Sequence, residues 1–389
     1  MKDKSIEKKL FTGTIPVAKP WFSELEEQIL LETLRSGWVA QGPRVKAFEQ
    51  AVADYVAVPY AIATNSCTSA LQLGLEILGV GAGHEVIVPS FTFVATANAV
   101  VHRGATPVFI DIDPKTYNID PKAITAAITQ KTKVIMPVDQ IGMPADLDSI
   151  QAIAQKKNLK ILEDAACALG SEYKGKKIGG QSDISCFSFH PRKVITSGEG
   201  GMLTTSNASY AEALRIKVSH GASVSDLKRH QSNQIVIEEY PVFGYNFRMS
   251  DLQAAVGLGQ LKRLEGILSQ KRFFAERYNK ILSEMPEVLP PSEPQGYKAN
   301  YQSYMVRILP SAKKDRDEIM KELLAKGIST RRGIMAIHLE PAYRERFGEI
   351  HLPETERALR ETMILPLYPQ MTIEEHDYVI ESLKECLAF

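Results

Sequence analysis

Hydrophobic residues between positions 60 and 205 occur in short runs that alternate with stretches of helical periodicity. Most of these runs are apolar on both faces, which is the pattern of strands covered by helices on two sides. The alternation predicts a large α/β domain with a mainly parallel seven-stranded sheet flanked by helices. The predicted strands are residues 60–64, 85–88, 107–111, 134–138, 160–163, 184–189 and 201–205.

Helical periodicity predicts helices between the strands at 69–78, 94–102, 121–129 and 148–157. Before the sheet, a capping box at Ser23 and Glu26 starts a helix that Gly37 ends, and a second helix follows Gly42. Residues 250–284 predict one long helix, straight or kinked. A proline-rich loop, a strand at 304–309 and helices at 313–326 and after Thr372 then predict a smaller C-terminal α+β domain. The predicted division is an N-terminal arm (1–22), a large domain (23–265) and a small domain (266–389).

Composition narrows the classes of partner. Lys and Arg together number 46, as do Asp and Glu, so the zero net charge argues against nucleic acid and membrane partners. The cysteines Cys67, Cys167, Cys186 and Cys386 form no CxxC pair, which favours reduced thiols over a metal site. The first residues carry charges of both signs, and no run of about 18 apolar residues exists. We expect a soluble, cytoplasmic protein without metal.

Two residues suggest chemistry. Lys193 lies between the apolar run 184–189 and a glycine-rich turn at 198–201, and Asp164 follows the predicted strand 160–163. A lysine amine can form a Schiff base, and a carboxylate beside a pyridine nitrogen favours its protonated form. Together they are the minimum set for pyridoxal phosphate chemistry. Taken singly, a solvated lysine and a helix-capping aspartate explain them equally well.

Further residues fit the same cofactor. The segment 64–70 follows a predicted strand and opens a helix, so its free N–H groups and the hydroxyls of Thr68 and Ser69 suit a phosphate. Ser188, five residues before Lys193, is placed to add another hydroxyl. Phe93 follows another strand and would lie flat on a planar ring. Ordinary helix capping and a core aromatic remain the commoner explanations of each signal alone.

In their order and spacing these pieces resemble the DegT/StrS-type sugar aminotransferases, a branch of the fold-type I pyridoxal-phosphate enzymes. The resemblance covers nearly the whole chain, and the lysine block and the Gly-x-Asn-x-Arg block are its most diagnostic parts. The matching blocks are Ser36-Gly-Trp38, Asn65-Ser-Cys-Thr68, Pro89-Ser-Phe-Thr-Phe93, Glu163-Asp-Ala-Ala166, Ser188-Phe-His-Pro-Arg-Lys193, Gly198-Glu-Gly-Gly201, Gly244-Tyr-Asn-Phe-Arg-Met-Ser-Asp251 and Leu365-Pro-Leu-Tyr-Pro369.

The resemblance implies that Lys193 holds pyridoxal 5'-phosphate and moves the proton between substrate carbon and cofactor, while Asp164 binds the ring nitrogen. It also implies that Asn246, with Arg248 as a second donor, reaches the phosphate of the neighbouring subunit. A homodimer with shared sites follows. The other implied cofactor contacts are Phe93 on the ring, Thr68, Ser69 and Ser188 on the phosphate, and Cys67 and Cys167 beside them.

The chain departs from the family pattern at two places. Cys167 stands where the family usually has Gln or His, and a thiol is the weaker donor. Asp139-Gln140 replaces a frequent histidine. Both places lie near the expected cofactor pocket, so we expect them to tune the substrate rather than the reaction. Some relatives carry histidine in place of the lysine and eliminate water, so Lys193 favours transamination.

The resemblance places Trp38 at the pocket mouth and His338 near the sugar. The neighbouring Arg332, together with Lys228 and Arg229 of a polar loop, would meet a diphosphate, although solvated surface charges explain these residues as well. The leading hypothesis is transfer of an amino group from L-glutamate to a keto group of a nucleotide-linked 6-deoxy hexose. The alternatives are an aminotransferase acting on a cyclitol or other non-nucleotide ketone, and a cofactor-binding regulatory protein without turnover.

Overall fold

The computed structural model of the chain describes residues 13–224, 227, 229 and 232–388. Its strands are β1 (Tyr60–Thr64), β2 (Glu85–Pro89), β3 (Thr106–Ile110), β4 (Thr132–Ile135), β5 (Lys160–Asp164), β6 (Glu172–Tyr173), β7 (Lys176–Lys177), β8 (Ile184–Ser188), β9 (Gly201–Thr205), β10 (Val288–Leu289), β11 (Tyr297–Lys298), β12 (Tyr304–Ile308), β13 (Arg331–Arg332) and β14 (Thr362–Leu365). Its helices are α1 (Glu24–Ser36), α2 (Pro43–Val56), α3 (Cys67–Ile77), α4 (Ala95–His102), α5 (Pro121–Ala127), α6 (Leu147–Lys157), α7 (Ala208–Lys217), α8 (Asp251–Lys262), α9 (Leu264–Leu282), α10 (Arg316–Ala325), α11 (Pro341–Phe347), α12 (Pro353–Glu361) and α13 (Ile373–Ala388).

Seven strands form the main sheet, in the order β1-β9-β8-β5-β4-β2-β3. All of them run parallel except β9, which is antiparallel to both neighbours. One hydrophobic core packs α2, α5, α6, α8 and the start of α9 against the sheet, and a second core packs α3, α4 and α7. The prediction of a mainly parallel seven-stranded sheet flanked by helices is confirmed. Because the carboxyl ends of parallel strands share one edge, the loops after β1, β2, β5 and β8 meet there.

A second, antiparallel sheet has the order β10-β12-β14-β13 and packs with α10 and α13 around its own core. The chain also adds its N-terminal segment to this unit. Ile15 is buried in the same core and bridges to Ile328, and the Leu367 N–H donates to the Val17 carbonyl at 3.1 Å. The described part of the predicted arm therefore contacts the smaller unit through Ile15 and Val17, whereas Trp21 packs against the core of the main sheet.

The helix predicted at 250–284 is two helices, α8 and α9, which are separated at Arg263. The Arg263 guanidinium donates to the Trp21 carbonyl at 3.0 Å and to the Glu26 carboxylate at 2.9 Å, which ties the break to the N-terminal segment. Helix α9 runs across the predicted boundary between residues 265 and 266. That division into domains stays a prediction.

Two properties of the described residues bear on the class of protein. Within them, no helix combines the length and the apolar character that crossing a bilayer requires. The same part of the chain brings together no group of three or more His, Cys, Asp or Glu side chains able to hold a metal ion.

Candidate active site

The loop that carries Lys193 begins at the end of β8 and returns to β9. The Lys193 N–H donates to the His190 carbonyl at 2.8 Å, and the Thr196 hydroxyl donates to the Phe189 carbonyl at 2.8 Å. At its return, a Cβ on Gly201 would lie 2.5 Å from the Ser66 backbone. Only glycine allows this approach, so the sequence holds the lysine loop close to the start of α3.

The Lys193 amine lies among sulfur atoms and a carboxylate. Its Nζ donates to the Cys167 Sγ at 3.0 Å. Burial lowers the pKa of Lys193, but Cys167, Cys67 and Asp164 beside it raise the pKa to a net value above the usual one. The structure thus brings Lys193, Cys67, Cys167 and Asp164 together, as their places at the sheet edge predicted.

Asp164 ends β5 and is only 4% exposed. The Thr96 hydroxyl of α4 donates to Oδ2 at 2.7 Å, and the Ala166 N–H donates to Oδ1 at 3.3 Å. Burial raises the pKa of Asp164, whereas Thr96, Lys193 and the Ala166 N–H lower it by smaller amounts. A buried carboxylate of this kind gains from a cationic partner such as a protonated ring nitrogen. Thr96 is a contact that sequence reasoning missed.

Asp139 lies behind Asp164 and is fully buried. Its N–H donates to the Asp164 carbonyl at 3.1 Å, and its Oδ1 accepts from the Ala145 N–H at 2.8 Å. Burial, followed by the neighbouring Glu163 carboxyl, raises the pKa of Asp139 well above its usual value. The Asp139 side chain presents no surface to a substrate, so its contacts support the backbone that carries Asp164.

The start of α3 is open to an anion. Within the described chain, the N–H groups of Cys67 and Thr68 donate to no acceptor. The Ser69 N–H and hydroxyl are already engaged, with Ser66 at 3.2 Å and with Asn65 at 2.7 Å. Two free amides at a helix N-terminus form a site for phosphate oxygens. Ser188 ends the neighbouring strand β8, where its Oγ accepts a long 3.4 Å bond from the His190 N–H.

Phe93 follows β2 and leaves 56% of its side chain exposed. Large aromatic side chains usually bury most of their surface. The exposed ring, the free amides of α3, the Asp164 carboxylate and the Lys193 amine together fit pyridoxal 5'-phosphate, which has a planar ring, a phosphate, a basic nitrogen and an aldehyde.

The Gly-x-Asn-x-Arg block runs past the start of α3. The Asn65 side-chain amide donates to the Asn246 carbonyl at 3.4 Å, and Asn246 itself is exposed. Arg248 donates to the Ser219 hydroxyl at 3.2 Å. The block ends in Asp251, whose buried carboxylate accepts from the backbone of residues 42, 44 and 45 and so begins α2. The block is therefore anchored at one end and exposed at Asn246.

The polar loop between residues 222 and 243 leaves the body through a glycine neck, Gly221 and Gly244. A Cβ on Gly221 would lie 1.8 Å from the Val242 carbonyl oxygen, and one on Gly244 would lie 2.0 Å from the Gly221 nitrogen. Arg229 forms an ion pair with Glu238, and the predicted contact Lys228 lies outside the described residues. The loop also exposes large apolar side chains, which are Ile235 (95%), Ile237 (85%) and Phe243 (97%).

Trp38 and His338, which the resemblance links to the pocket mouth and the substrate, are engaged within the chain. The Trp38 Nε1 donates to the Gln41 carbonyl at 3.2 Å, and its ring covers Gly42. His338 is fully buried, with Nδ1 2.7 Å from the Ser90 hydroxyl and Nε2 3.6 Å from the Glu356 carboxylate. In this structure His338 has no surface for a sugar, so its predicted role would have to act through these neighbours.

Strand β13 separates the two adjacent arginines. Arg331 is paired with Ile364 and Arg332 with Met363, so their side chains lie on opposite faces of the small sheet. Arg331 is the one coupled to the lysine loop. Burial and then the charge of Arg331 lower the pKa of Arg192, next to Lys193. The predicted contact of Arg332 with the substrate stays a prediction.

Comparisons with known proteins agree with this geometry. The model of the DegT/DnrJ/EryC1/StrS aminotransferase family matches residues 22–384. The spore coat polysaccharide biosynthesis protein SpsC of Bacillus subtilis (strain 168) is 39% identical over 375 residues, which span 95% of this chain and 96% of SpsC. PseC of Helicobacter pylori, an aminotransferase involved in the biosynthesis of pseudoaminic acid, has a TM-score of 0.90 and 29% identity, and the match covers 96% of this chain and 99% of PseC.

Spr1654 from Streptococcus pneumoniae is similar in both of two cofactor forms. Its PMP form matches with a TM-score of 0.91 and 31% identity over 96% of this chain and 99% of that one, and its PLP form matches with a TM-score of 0.90. The predicted fold-type I architecture and pyridoxal 5'-phosphate as cofactor are confirmed. The chain belongs to the DegT/DnrJ/EryC1/StrS aminotransferase family, and it is a pyridoxal-phosphate-dependent aminotransferase.

Proposed function

We propose that the enzyme transfers an amino group from L-glutamate to a keto group of a nucleotide-linked 6-deoxy hexose, for amino-sugar and surface polysaccharide biosynthesis. The observation that carries the proposal is the pairing of Lys193 with the buried Asp164 in this family. The names of two similar proteins support the sugar. SpsC is a spore coat polysaccharide biosynthesis protein, and PseC takes part in pseudoaminic acid biosynthesis.

Each residue has a role that follows from its surroundings. When bound, pyridoxal phosphate draws charge away from the substrate carbon that loses a proton. The Lys193 Nζ would remove and return that proton. The hydrogen bonds of its loop hold the amine in the position that this transfer requires. Asp164 holds the ring nitrogen in its charged form, and Thr96 fixes the orientation of the carboxylate.

Two further groups hold and shield the cofactor. The free amides of Cys67 and Thr68, with the Ser188 hydroxyl, bind the phosphate at the positive end of α3. Phe93 covers one face of the ring and excludes water from it. Together with Asp164 and Lys193, these groups would hold the cofactor at its phosphate, its ring and its aldehyde.

The proposed assembly is a homodimer in which Asn246 serves the phosphate site of the partner subunit. The support is that Asn246 is exposed, and that the adjacent loop exposes Ile235, Ile237 and Phe243. Large apolar side chains exposed on one loop are typical of protein–protein contacts. We assign the reaction to the cytoplasm, since all four cysteines are free thiols.

The lysine role is tested by Lys193→Ala. We expect the visible absorbance of the lysine-bound cofactor and all turnover to disappear, whereas the exposed-lysine control Lys156→Ala keeps both. Full turnover by the first variant would refute the assigned role.

The substrate is tested with a panel of UDP-, dTDP- and GDP-linked 4-keto sugars beside keto-inositols, each with L-glutamate as donor. Amination of a nucleotide sugar supports the proposal, and amination of keto-inositols alone contradicts it. No half-reaction with any amino acid would instead indicate a protein that has lost turnover.

The shared site is tested by mixing two inactive dimers, Lys193→Ala and Asn246→Ala. A mixed dimer holds one site with both natural residues, so we expect recovery of about a quarter of the natural activity in an equal mixture. No recovery, with mixed dimers demonstrated by mass, would place Asn246 and Lys193 in the same subunit's site.

A further inference from the structure

A small cavity, of about 20 Å³, is lined by Arg192, Lys193 and Thr196 of the lysine loop, and by none of the other residues assigned to the cofactor. Its walls come from the N-terminal segment, the lysine loop, helices α8 and α9, and the loop after β14. Four cationic residues line it, namely Lys19, Arg192, Lys193 and Lys271, and its lining includes no Asp or Glu. A polar cavity with this charge distribution attracts anions.

Lys271 is the most unusual of these residues. It is only 4% exposed, and its Nζ donates to the Leu367 carbonyl at 3.1 Å. Among the described residues, no carboxylate forms an ion pair with it. Burial lowers the pKa of Lys271 to about 7. A buried ammonium group without a counter-charge is unfavourable, so near neutral pH it either loses its proton or gains an anion.

Arg192 adds a charge that cannot be lost, because a guanidinium stays protonated. In the described chain its side chain forms no ion pair, and its carbonyl accepts from the Gln302 side-chain amide at 2.6 Å. The backbone of the lysine loop is therefore fixed beside the cavity while the cationic side chain remains without an acidic partner.

We propose that this cavity binds one small monovalent anion, a halide ion or a carboxylate group, at the buried Lys271 ammonium, with the exposed Arg192 on the same lining. The cavity has room for about one water-sized group, which excludes a nucleotide or a sugar. A bound anion links the lysine loop to α9 and to the loop after β14, and so connects the two sheets. This site is independent of the substrate proposed above, and failure of either proposal leaves the other standing.

Direct detection uses crystals of the holoenzyme soaked in bromide. We expect an anomalous difference peak within hydrogen-bonding distance of the Lys271 Nζ. A cavity that holds only water both in this map and in the map of a crystal soaked in formate overturns the proposal. Because this measurement uses the natural protein, it does not depend on any variant folding.

The solution test follows thermal unfolding of the holoenzyme at constant ionic strength and pH 6. Chloride or formate replaces gluconate, which is too large for the cavity. We expect the unfolding temperature to rise with the small anion, and we expect no rise in Lys271→Met. The control Lys280→Met, at an exposed lysine on the same helix, keeps the rise.

The two arms identify the source of the anion. A response to chloride alone assigns the site to halides, and a response to formate alone assigns it to carboxylates. A rise of equal size in Lys271→Met would show a general salt effect and would overturn the proposal.

The effect of pH gives a second readout. The groups that face Lys271 across the cavity are Lys19, Arg192, Lys193 and Tyr368. Because Lys271 loses its proton near pH 7, anion affinity should fall about tenfold per pH unit above that value. We therefore expect a clear rise at pH 6 and a small one at pH 8.5, and an equal response at both would contradict the role of Lys271.

Discussion

The part of the site around Asp164 and the segment around Asn246 differ in how many of their contacts one chain supplies. Asp164 is buried, and both of its oxygens accept hydrogen bonds from neighbouring elements. Asn246 is exposed, and the loop beside it presents Phe243 and Ile235 almost entirely to solvent. The difference teaches that local packing within one chain fixes the Asp164 carboxylate, whereas the Asn246 segment has an exposed surface that the proposed dimer would cover.

The largest effect should come from Asp164→Asn. The amide cannot hold a charged ring nitrogen, so we expect kcat/KM to fall by about 10²-fold or more, as for loss of a preorganised electrostatic contact. Steady-state kinetics give the measurement. Asp120→Asn, which keeps an exposed helix cap, should leave kcat/KM unchanged. Near-natural kcat/KM for Asp164→Asn would show that the charge of the Asp164 carboxylate does not drive the reaction.

A somewhat smaller effect is expected from Phe243→Asp, in the exposed loop beside Asn246. A charge at a buried contact should weaken the proposed dimer by about 30-fold or more. Sedimentation at several concentrations measures this, and activity should fall on dilution. Phe273→Asp, at an exposed phenylalanine of α9, is the matched control. A dimer of natural strength in Phe243→Asp would place the interface elsewhere.

Thr96→Val tests whether the pKa of the Asp164 carboxylate depends on the hydrogen bond from Thr96. Loss of a donor to the carboxylate should raise the already elevated pKa of Asp164 further. A carboxyl whose folded pKa is raised binds protons more tightly than in the unfolded chain. Stability of the apoprotein therefore falls as pH rises from about 4 through the folded pKa.

Thermal unfolding of the apoprotein against pH checks the Thr96 prediction. We expect a steeper loss of stability with rising pH in Thr96→Val than in Thr92→Val, whose hydroxyl contacts Thr96 at 3.1 Å and not Asp164. Identical pH profiles for the two variants would show that Thr96 has no influence on the carboxylate.

The smallest effect is expected from Cys167→Ala. It removes the 3.0 Å contact with the Lys193 Nζ, and so it should lower the pKa of the free amine. Because a thiol bonds weakly, we expect kcat to change by only about threefold. The pH dependence of cofactor binding to the apoprotein, which requires the neutral amine, reports the shift, with Cys386→Ala as the control. An unchanged pH dependence would show that the Cys167 thiol has no influence on the pKa of the Lys193 amine.

Sequence reasoning found the elements that depend on local pattern. The seven strands of the main sheet match the predicted runs closely because each is a buried β-branched run with a turn on either side. Lys193 and Asp164 meet because Asp164 ends β5 and Lys193 follows β8, which is the parallel neighbour of β5. Helices α7, α11 and α12 were missed; they have only 10, 7 and 9 residues.

Contacts between distant elements could not be predicted in this way. Thr96 reaches Asp164 from α4, a contact that depends on how that helix packs on the sheet. The burial of His338 depends on Ser90 in another loop. A partial signal was present, because His338 ends the apolar run Ile334-Met-Ala-Ile337. The break at Arg263 likewise comes from its bonds to the N-terminal segment.

The glycine neck has a consequence for how such enzymes diversify. Because the backbone at Gly221 meets the backbone at Gly244, the stretch between them begins and ends at one point of the surface. Its length and composition can change while the catalytic lysine stays where it is. The stretch can therefore be exchanged between relatives without rebuilding the loop that carries Lys193.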